Sequence, residues 1–266
     1  MPTNASAAPV VVKLGGSLLQ QEQTLAAFWP QLARLQQSQP VVLVHGGGPQ
    51  TTALSRRLGC EPEKVDGRRI TGDEDLQALL WAVRGELSTQ LVAGARRQGL
   101  QAVGLSGVDG GLIEVKRRPP WTVNGRVIDF GHVGDICRVD PGLVQHLLER
   151  GMLPVIAPLG VDAEGQVYNV NADTVARALA EALQAKALLF ATETGGVQQS
   201  PDADGASLKT CSAATAATGA SEGWICGGMK VKVDMALEAL RAGVSEVCIV
   251  HVADLVERRR ATHVTL

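Results

Sequence analysis

PVVVKLGGSLL (9–19) is the stretch that decides the fold. A nearly unbroken β-branched run ends in a glycine pair, and one lysine, Lys13, interrupts it. VVLVHGGGPQ (41–50) repeats the arrangement, with Pro49 suited to the first turn of a following helix. Further apolar runs are QAVGL (101–105), LPVIAPL (153–159), ALLFAT (187–192) and EVCIVH (246–251). Runs that are continuous rather than alternating suit strands covered on both faces, as in parallel sheets. Between them lie helix-length segments rich in Ala, Leu, Glu and Gln, at 21–37, 73–97, 172–184 and 229–243. Strands alternating with helices predict an α/β layered sandwich around a mainly parallel sheet.

Two segments break the alternation. TVNGRVID (122–129) carries Asn124-Gly125 between β-formers, a hairpin signal. GVDAEGQVYNV (160–170) reads as a second hairpin turning near Glu164-Gly165. Hairpins of this kind serve as covers over a site. The small, polar stretch 200–223 reads as a mobile surface loop with a short Ala-rich helix.

Composition removes several classes of function. Lys+Arg 25 against Asp+Glu 27 leaves a net charge of −2, so no molecule-wide basic field serves nucleic acid. Aromatic residues are 3% of the chain, too few for a stacking surface. The cysteines (Cys60, Cys137, Cys211, Cys226, Cys248) are 5 in number and form no C-x-x-C pair, which points to reduced thiols rather than a disulfide framework or zinc ribbon. No basic region precedes the first apolar run, as a signal peptide requires, and no apolar stretch approaches bilayer length. A soluble, cytoplasmic protein is expected, with no membrane partner.

The two glycine loops carry the chemistry. Glycines at strand ends let backbone approach a ligand, and the next helix offers free N–H groups and a positive dipole end to an anion. In open α/β sheets ligands sit beyond the carboxyl ends of strands. Neither loop is a Walker A motif or a G-x-G-x-x-G turn, so a P-loop ATPase or dinucleotide dehydrogenase is disfavoured.

Taken in order, VVKLGGSLL, VLVHGGGPQ, VDGRRIT, GHVGDI, YNVNADTVARALA and GGMKVKVDMALEAL resemble the amino acid kinase superfamily, and within it the N-acetylglutamate kinases. The resemblance runs from about residue 10 to 253. It implies an open three-layer αβα sandwich around a mainly parallel eight-stranded sheet. It also implies an N-terminal lobe (1–170) for the amino-acid substrate and dimerisation, and a C-terminal lobe (171–266) for ATP. The implied reaction is ATP-dependent phosphorylation of the γ-carboxylate of N-acetyl-L-glutamate, with Mg²⁺ held mainly by the nucleotide and no metal-ligand residues assigned.

The family's phosphate-clamping lysines fall on Lys13 and Lys232, and its aspartate that holds both falls on Asp173. Gly47, Gly48, Arg69, Asn169 and Asn171 fall on the substrate side. Asn171 also suits a helix N-cap. Gly15, Gly16, Thr192, Glu193, Gly196, Gly227, Gly228 and Met229 fall on the nucleotide side, with Glu193 where the family usually has Asp.

Other residues read as supporting or solvated. His45 is expected to be packed, since a carboxylate nucleophile needs no proton removed. Lys230, Arg68, Arg117, Arg118 and Arg258-Arg259-Arg260 read as solvated charges, and His132 and Asp135 as groups that order the lid hairpin. A sister kinase acting on carrier-protein-linked aminoadipate or glutamate is the nearest alternative, because one methylene is worth only about 1–3 kcal/mol in a pocket. A non-catalytic nucleotide sensor is another, although paired lysines serve no purpose in a mere binder. Arginine-inhibited relatives carry an extra N-terminal helix. With about eight residues before the first strand, a homodimer with little arginine feedback is expected.

Overall fold

The apolar runs become neighbouring strands of one sheet. The computed structural model describes residues 7–65, 67–123, 125–199 and 207–266. Its main sheet has 8 strands, in the spatial order Thr210–Ser212, Ala261–Thr265, Glu246–His251, Ala187–Thr192, Val10–Leu14, Val41–His45, Leu153–Ala157, Ala102–Ser106. Neighbours pair in parallel except Glu246–His251 with Ala261–Thr265, which is antiparallel. This is the expected open αβα sandwich.

Period-2 alternation divides each central strand between two cores. Val10, Val12 and Leu14 join Phe28, Trp29, Leu32 and Leu91 on one face. Val11 joins Val175, Leu179, Val233 and Leu237 on the other. Lys13, two residues after Val11, is therefore turned toward the helices Ala172–Ala182 and Gly227–Arg241. That parity places a charge beneath the start of both helices.

Smaller sheets cover the carboxyl end. Val167–Asn169, Leu159–Val161, Ile113–Arg117 and Gly134–Val139 form a four-stranded sheet that contains the second expected hairpin. Its turn is held by Asp162 Oδ1, which accepts from the N–H groups of Glu164 and Gln166, while Gly165 takes φ of 87°. The other hairpin pairs Trp121–Val123 with Arg126–Ile128. Asn124 of its turn lies outside the described residues.

Three features differ from the sequence expectation. Residues 73–97 are helical throughout, but Leu80–Leu87 winds as a π-helix. Of the expected loop 200–223, residues 200–206 lie outside the described residues. The Ala-rich helix is present as Ala213–Glu222, capped by Ser212, yet Thr210–Ser212 forms a sheet strand. Finally, the arginine run at 258–260 leads into another strand, Ala261–Thr265.

Candidate active site

One carboxylate organises the carboxyl end of the sheet. Asp173 sits in the first turn of Ala172–Ala182, whose N-cap Asn171 accepts from the Asp173 and Thr174 N–H groups at 2.8 and 3.2 Å. Asp173 Oδ1 lies 2.8 Å from Lys13 Nζ, and Oδ2 lies 3.7 Å from Lys232 Nζ. Lys232 belongs to the Gly227–Arg241 helix and also donates to the Gly228 carbonyl at 3.2 Å. Two lysines far apart in the chain thus meet over one acid.

The electrostatics are tightly balanced. Burial acts to raise the Asp173 pKa, but the Lys13 and Lys232 charges together hold it below the usual carboxylate value. Lys232 is drawn below the ordinary lysine value by burial first and then by Lys13, with Asp173 offsetting both. A buried ion pair of this kind is poor evidence for stability, because desolvation consumes most of the attraction. It fixes two cations in space, ready for an anion that exceeds the charge of one carboxylate.

The glycine loops meet beside this triad. A Cβ on Gly16 would lie 2.8 Å from Gly47 N, and one on Gly46 would lie 2.9 Å from Gly16 N. The two backbones pass so closely that only hydrogen fits between them. Gln50 ties them together by donating to the Gly16 carbonyl at 2.8 Å. Gly47 is the N-cap of Gly48–Arg57, and a Cβ there would lie 2.4 Å from Val83 Cγ2 in the π-helical stretch. A π turn widens the helix and is frequent at functional sites. Here it seats the wall against which the loop rests.

Of the residues expected on the substrate side, Arg69 is buried, and its neighbour Arg68 is only partly so. Arg69 donates to Asp75 at 3.2 Å, to the Gly48 carbonyl at 3.1 Å, and to Thr52 Oγ1. Asn169 Nδ2 donates to Thr71 Oγ1 at 3.1 Å. Thr52, Thr71, Asp75 and Gln50 are supporting residues that the sequence reading missed; of these only Asp75, three positions into an acidic helix start, carried any signal. Asn171 is a helix cap, with its side-chain oxygen committed to backbone N–H groups.

Apart from Gly15 and Gly16, the residues expected on the nucleotide side fall at the end of Ala187–Thr192, in the turn after it, and at the start of Gly227–Arg241. Thr192 Oγ1 donates to the Val250 carbonyl and accepts from the Gly195 N–H at 3.0 Å, which shapes the TETGG turn. Glu193 is exposed and accepts from Gln21 Nε2 at 3.2 Å. Gly196 takes φ of 152°, and a Cβ there would lie 2.5 Å from Thr262 Oγ1. Gly227, Gly228 and Met229 open the Lys232 helix.

Several charges read as solvated are engaged. Arg118 lies over the Trp121 ring at 4.3 Å and pairs with Asp135 at 2.6 Å. Arg68 lies over the same ring at 4.9 Å, and Arg258 is largely buried against Glu246. An aromatic face and partly exposed acids, invisible in a run of arginines, account for these corrections. Lys230 is solvent-facing, as expected, paired with Asp234 at 2.7 Å. His132 Nε2 contacts Asp73 Oδ1 at 2.7 Å, and Asp135 Oδ1 accepts from Arg118. His45 is fully buried, with Nδ1 2.9 Å from the Gly46 carbonyl and Nε2 unpartnered. Burial lowers its pKa to about 4.

Beside this constellation of paired lysines on one acid and abutting glycine loops stand the matches to known proteins. The sequence model described as "Amino acid kinase family" matches residues 8–251. The chain belongs to the amino acid kinase family. Among its relatives is an acetylglutamate kinase of Methanopyrus kandleri, 38% identical over 249 residues, covering 94% of this chain and 97% of the relative. An acetylglutamate kinase of Myxococcus xanthus is 44% identical over 249 residues, covering 90% of this chain and 80% of the relative. The amino acid kinase fold also matches the structure of Giardia lamblia carbamate kinase bound to AMP-PNP. The TM-score is 0.71 at 16% identity, over 98% of this chain and 99% of that one.

Proposed function

We propose that this amino acid kinase phosphorylates the γ-carboxylate of N-acetyl-L-glutamate with ATP, giving the acyl phosphate and ADP in arginine biosynthesis. The observation that carries the reading is the pair of ammonium groups, Lys13 and Lys232, held by Asp173. A substrate carboxylate oxygen attacks the γ-phosphorus in line, the new P–O bond forms, and the bond to the ADP oxygen breaks. The nucleophile is already an anion, so no general base is needed. Charge spreads over the transferring oxygens, and catalysis is positioning plus electrostatic stabilisation. Lys13 and Lys232 supply it from fixed places. N–H groups at the starts of Gly48–Arg57 and Gly227–Arg241 add oriented dipoles.

Arg69 is assigned to the substrate α-carboxylate. Asp75, the Gly48 carbonyl and Thr52 Oγ1 take one Nη1 hydrogen and both Nη2 hydrogens, so the Nε–H and the other Nη1–H are what it offers the substrate. Asn169 is assigned to the N-acetylated amino group, with Thr71 fixing the amide. Gly47 and Gly48 receive the γ-carboxylate end. Gly15, Gly16, Thr192, Glu193, Gly196, Gly227, Gly228 and Met229 are assigned to ATP. Asp173 is engaged by two lysines, so Mg²⁺ would be held through the nucleotide's own phosphate oxygens. When bound there it neutralises phosphate charge. The reading retains the lobes 1–170 and 171–266, a cytoplasmic location, and a homodimer through the N-terminal lobe. Trp81, 51% exposed on the 73–97 helix, supports an interface on that lobe.

A coupled ADP-release assay on acetylglutamate, acetylaspartate and acetylaminoadipate tests the assignment. Turnover preferring acetylglutamate by at least tenfold, roughly the worth of one methylene, is expected. Dependence on a carrier protein would transfer the assignment to the sister kinases. Nucleotide binding without turnover would leave a sensor. Light scattering at the dimer mass is the expected state.

A further inference from the structure

At the opposite end of the sheet, three side chains of different chemistry converge. Glu246 and Cys248 are two residues apart in one strand and so stand on the same face. His263 lies directly opposite Cys248 in the antiparallel pair. Cys248 Sγ is 3.3 Å from His263 Nδ1 and 3.4 Å from Glu246 Oε1, and His263 Nδ1 is 3.7 Å from the same Oε1. Around a tetrahedral zinc ion, with bonds of about 2.3 Å to sulfur and about 2.0–2.2 Å to nitrogen or oxygen, ligand atoms lie roughly 3.4–3.6 Å apart. The three edges fall within a few tenths of an ångström of that triangle.

The surroundings favour a cation site over a chance cluster. Arg258 Nη1 donates to the other carboxylate oxygen of Glu246, which turns Oε1 toward the sulfur and ring nitrogen. Partners of this kind orient metal ligands in known sites. Cys248 is buried, whereas the His263 side chain is 46% exposed, so one side is closed and the other open to entry. It is the only such trio of His, Cys, Asp or Glu among the described residues. Thiolate with imidazole selects a borderline-soft ion and rejects Mg²⁺, a hard cation that keeps oxygen ligands.

We propose that Glu246, Cys248 and His263 bind a divalent cation of the zinc class through Oε1, Sγ and Nδ1, with solvent completing the tetrahedron. Binding replaces the S–H bond by a metal–sulfur bond and releases the proton to water. The site lies at the start of Glu246–His251, on the order of 10–15 Å along the strands from the phosphate end. Its role is to clasp two antiparallel strands, and the chemistry is separate from Mg²⁺·ATP.

Cobalt(II) titration of the full chain, freed of metal and without nucleotide, tests this. One equivalent is expected to bind, with a near-ultraviolet thiolate charge-transfer band and the visible bands of a tetrahedral ion. Zn²⁺ should displace it and millimolar Mg²⁺ should not. Cys248→Ser should abolish the charge-transfer band. His263→Asn, at a half-exposed position, should weaken uptake about tenfold or more while retaining kinase turnover. As a readout independent of spectra, Zn²⁺ should raise the thermal midpoint of the parent and raise that of His263→Asn by clearly less at the same Zn²⁺ concentration. Absence of uptake by the parent overturns the proposal. So does a charge-transfer band that survives Cys248→Ser, or an octahedral spectrum.

Discussion

Replacing Asp173 by Asn is the most informative single change. The carboxylate lies 2.8 Å from one ammonium group and 3.7 Å from the other. At an effective dielectric near 20, those distances correspond to about 6 and about 4–5 kcal/mol of attraction. Desolvation of three charges offsets much of this, and breaking a buried pair by removing one partner costs about 3–5 kcal/mol. The amide also leaves Lys13 and Lys232 repelling each other. Urea unfolding should therefore show a loss of about 3–5 kcal/mol. The ADP-release assay should show kcat down by about 10²–10³, the worth of a displaced transition-state donor.

A pH profile separates lost positioning from lost folding. Without the carboxylate, the pKa of Lys232, already depressed by burial and by Lys13, falls further. The lysine then gives up its proton at a lower pH, and residual activity in the variant should rise as pH is lowered. A variant with kcat within about threefold of the parent, or with an unshifted alkaline limb, would refute the account of Asp173 as the anchor of both cations.

Other outcomes follow from the same geometry. Lys13→Ala and Lys232→Ala should each lower kcat by about 10²–10³ in the ADP-release assay, with the affinity for acetylglutamate little changed. Arg69→Lys should raise KM for acetylglutamate roughly 10–100-fold, the worth of a hydrogen bond to a charged group, as read from initial rates. Gly16→Ala places a methyl 2.8 Å from Gly47 N, where backbone cannot yield, and should cost about 1–3 kcal/mol in urea unfolding. His45 titrates at about 4 when folded, chiefly through burial, and at 6.5 when exposed. The unfolded chain therefore takes up the proton first, and stability falls as pH drops from 6.5 toward 4. This amounts to about 2 kcal/mol by pH 5, and His45→Gln should remove it from the difference between urea midpoints at pH 7 and pH 5.

Most of the sheet was legible because burial on both faces leaves continuous apolar runs. Lys13 stood out because a charge amid such a run needs a reason; that its face is covered by Ala172–Ala182 and Gly227–Arg241 came only with the structure. Thr210–Ser212 and Ala261–Thr265 were not legible. The first is three residues long and the second follows three arginines, so their strand character comes from the neighbours they pair with. The π stretch at Leu80–Leu87 has an ordinary helical composition. Its widening is settled by what packs beside it, as Gly47 against Val83 illustrates. The stacking of Arg68 and Arg118 on Trp121 was hidden because a ring contact depends on how the chain folds back: Trp121 follows Arg118 closely but lies far along the chain from Arg68.

The strand Val10–Leu14 lies in the middle of the main sheet, with Val41–His45 on one side and Ala187–Thr192 on the other. Its second neighbour is about 180 residues downstream. At a synthesis rate of about 5–20 residues per second, a nascent chain holds one apolar flank of that strand unpaired for roughly 10–35 s. During this interval its open edge is a template for any other β-forming segment, so recovery of active enzyme should depend on chaperone supply and on translation speed between the two strands.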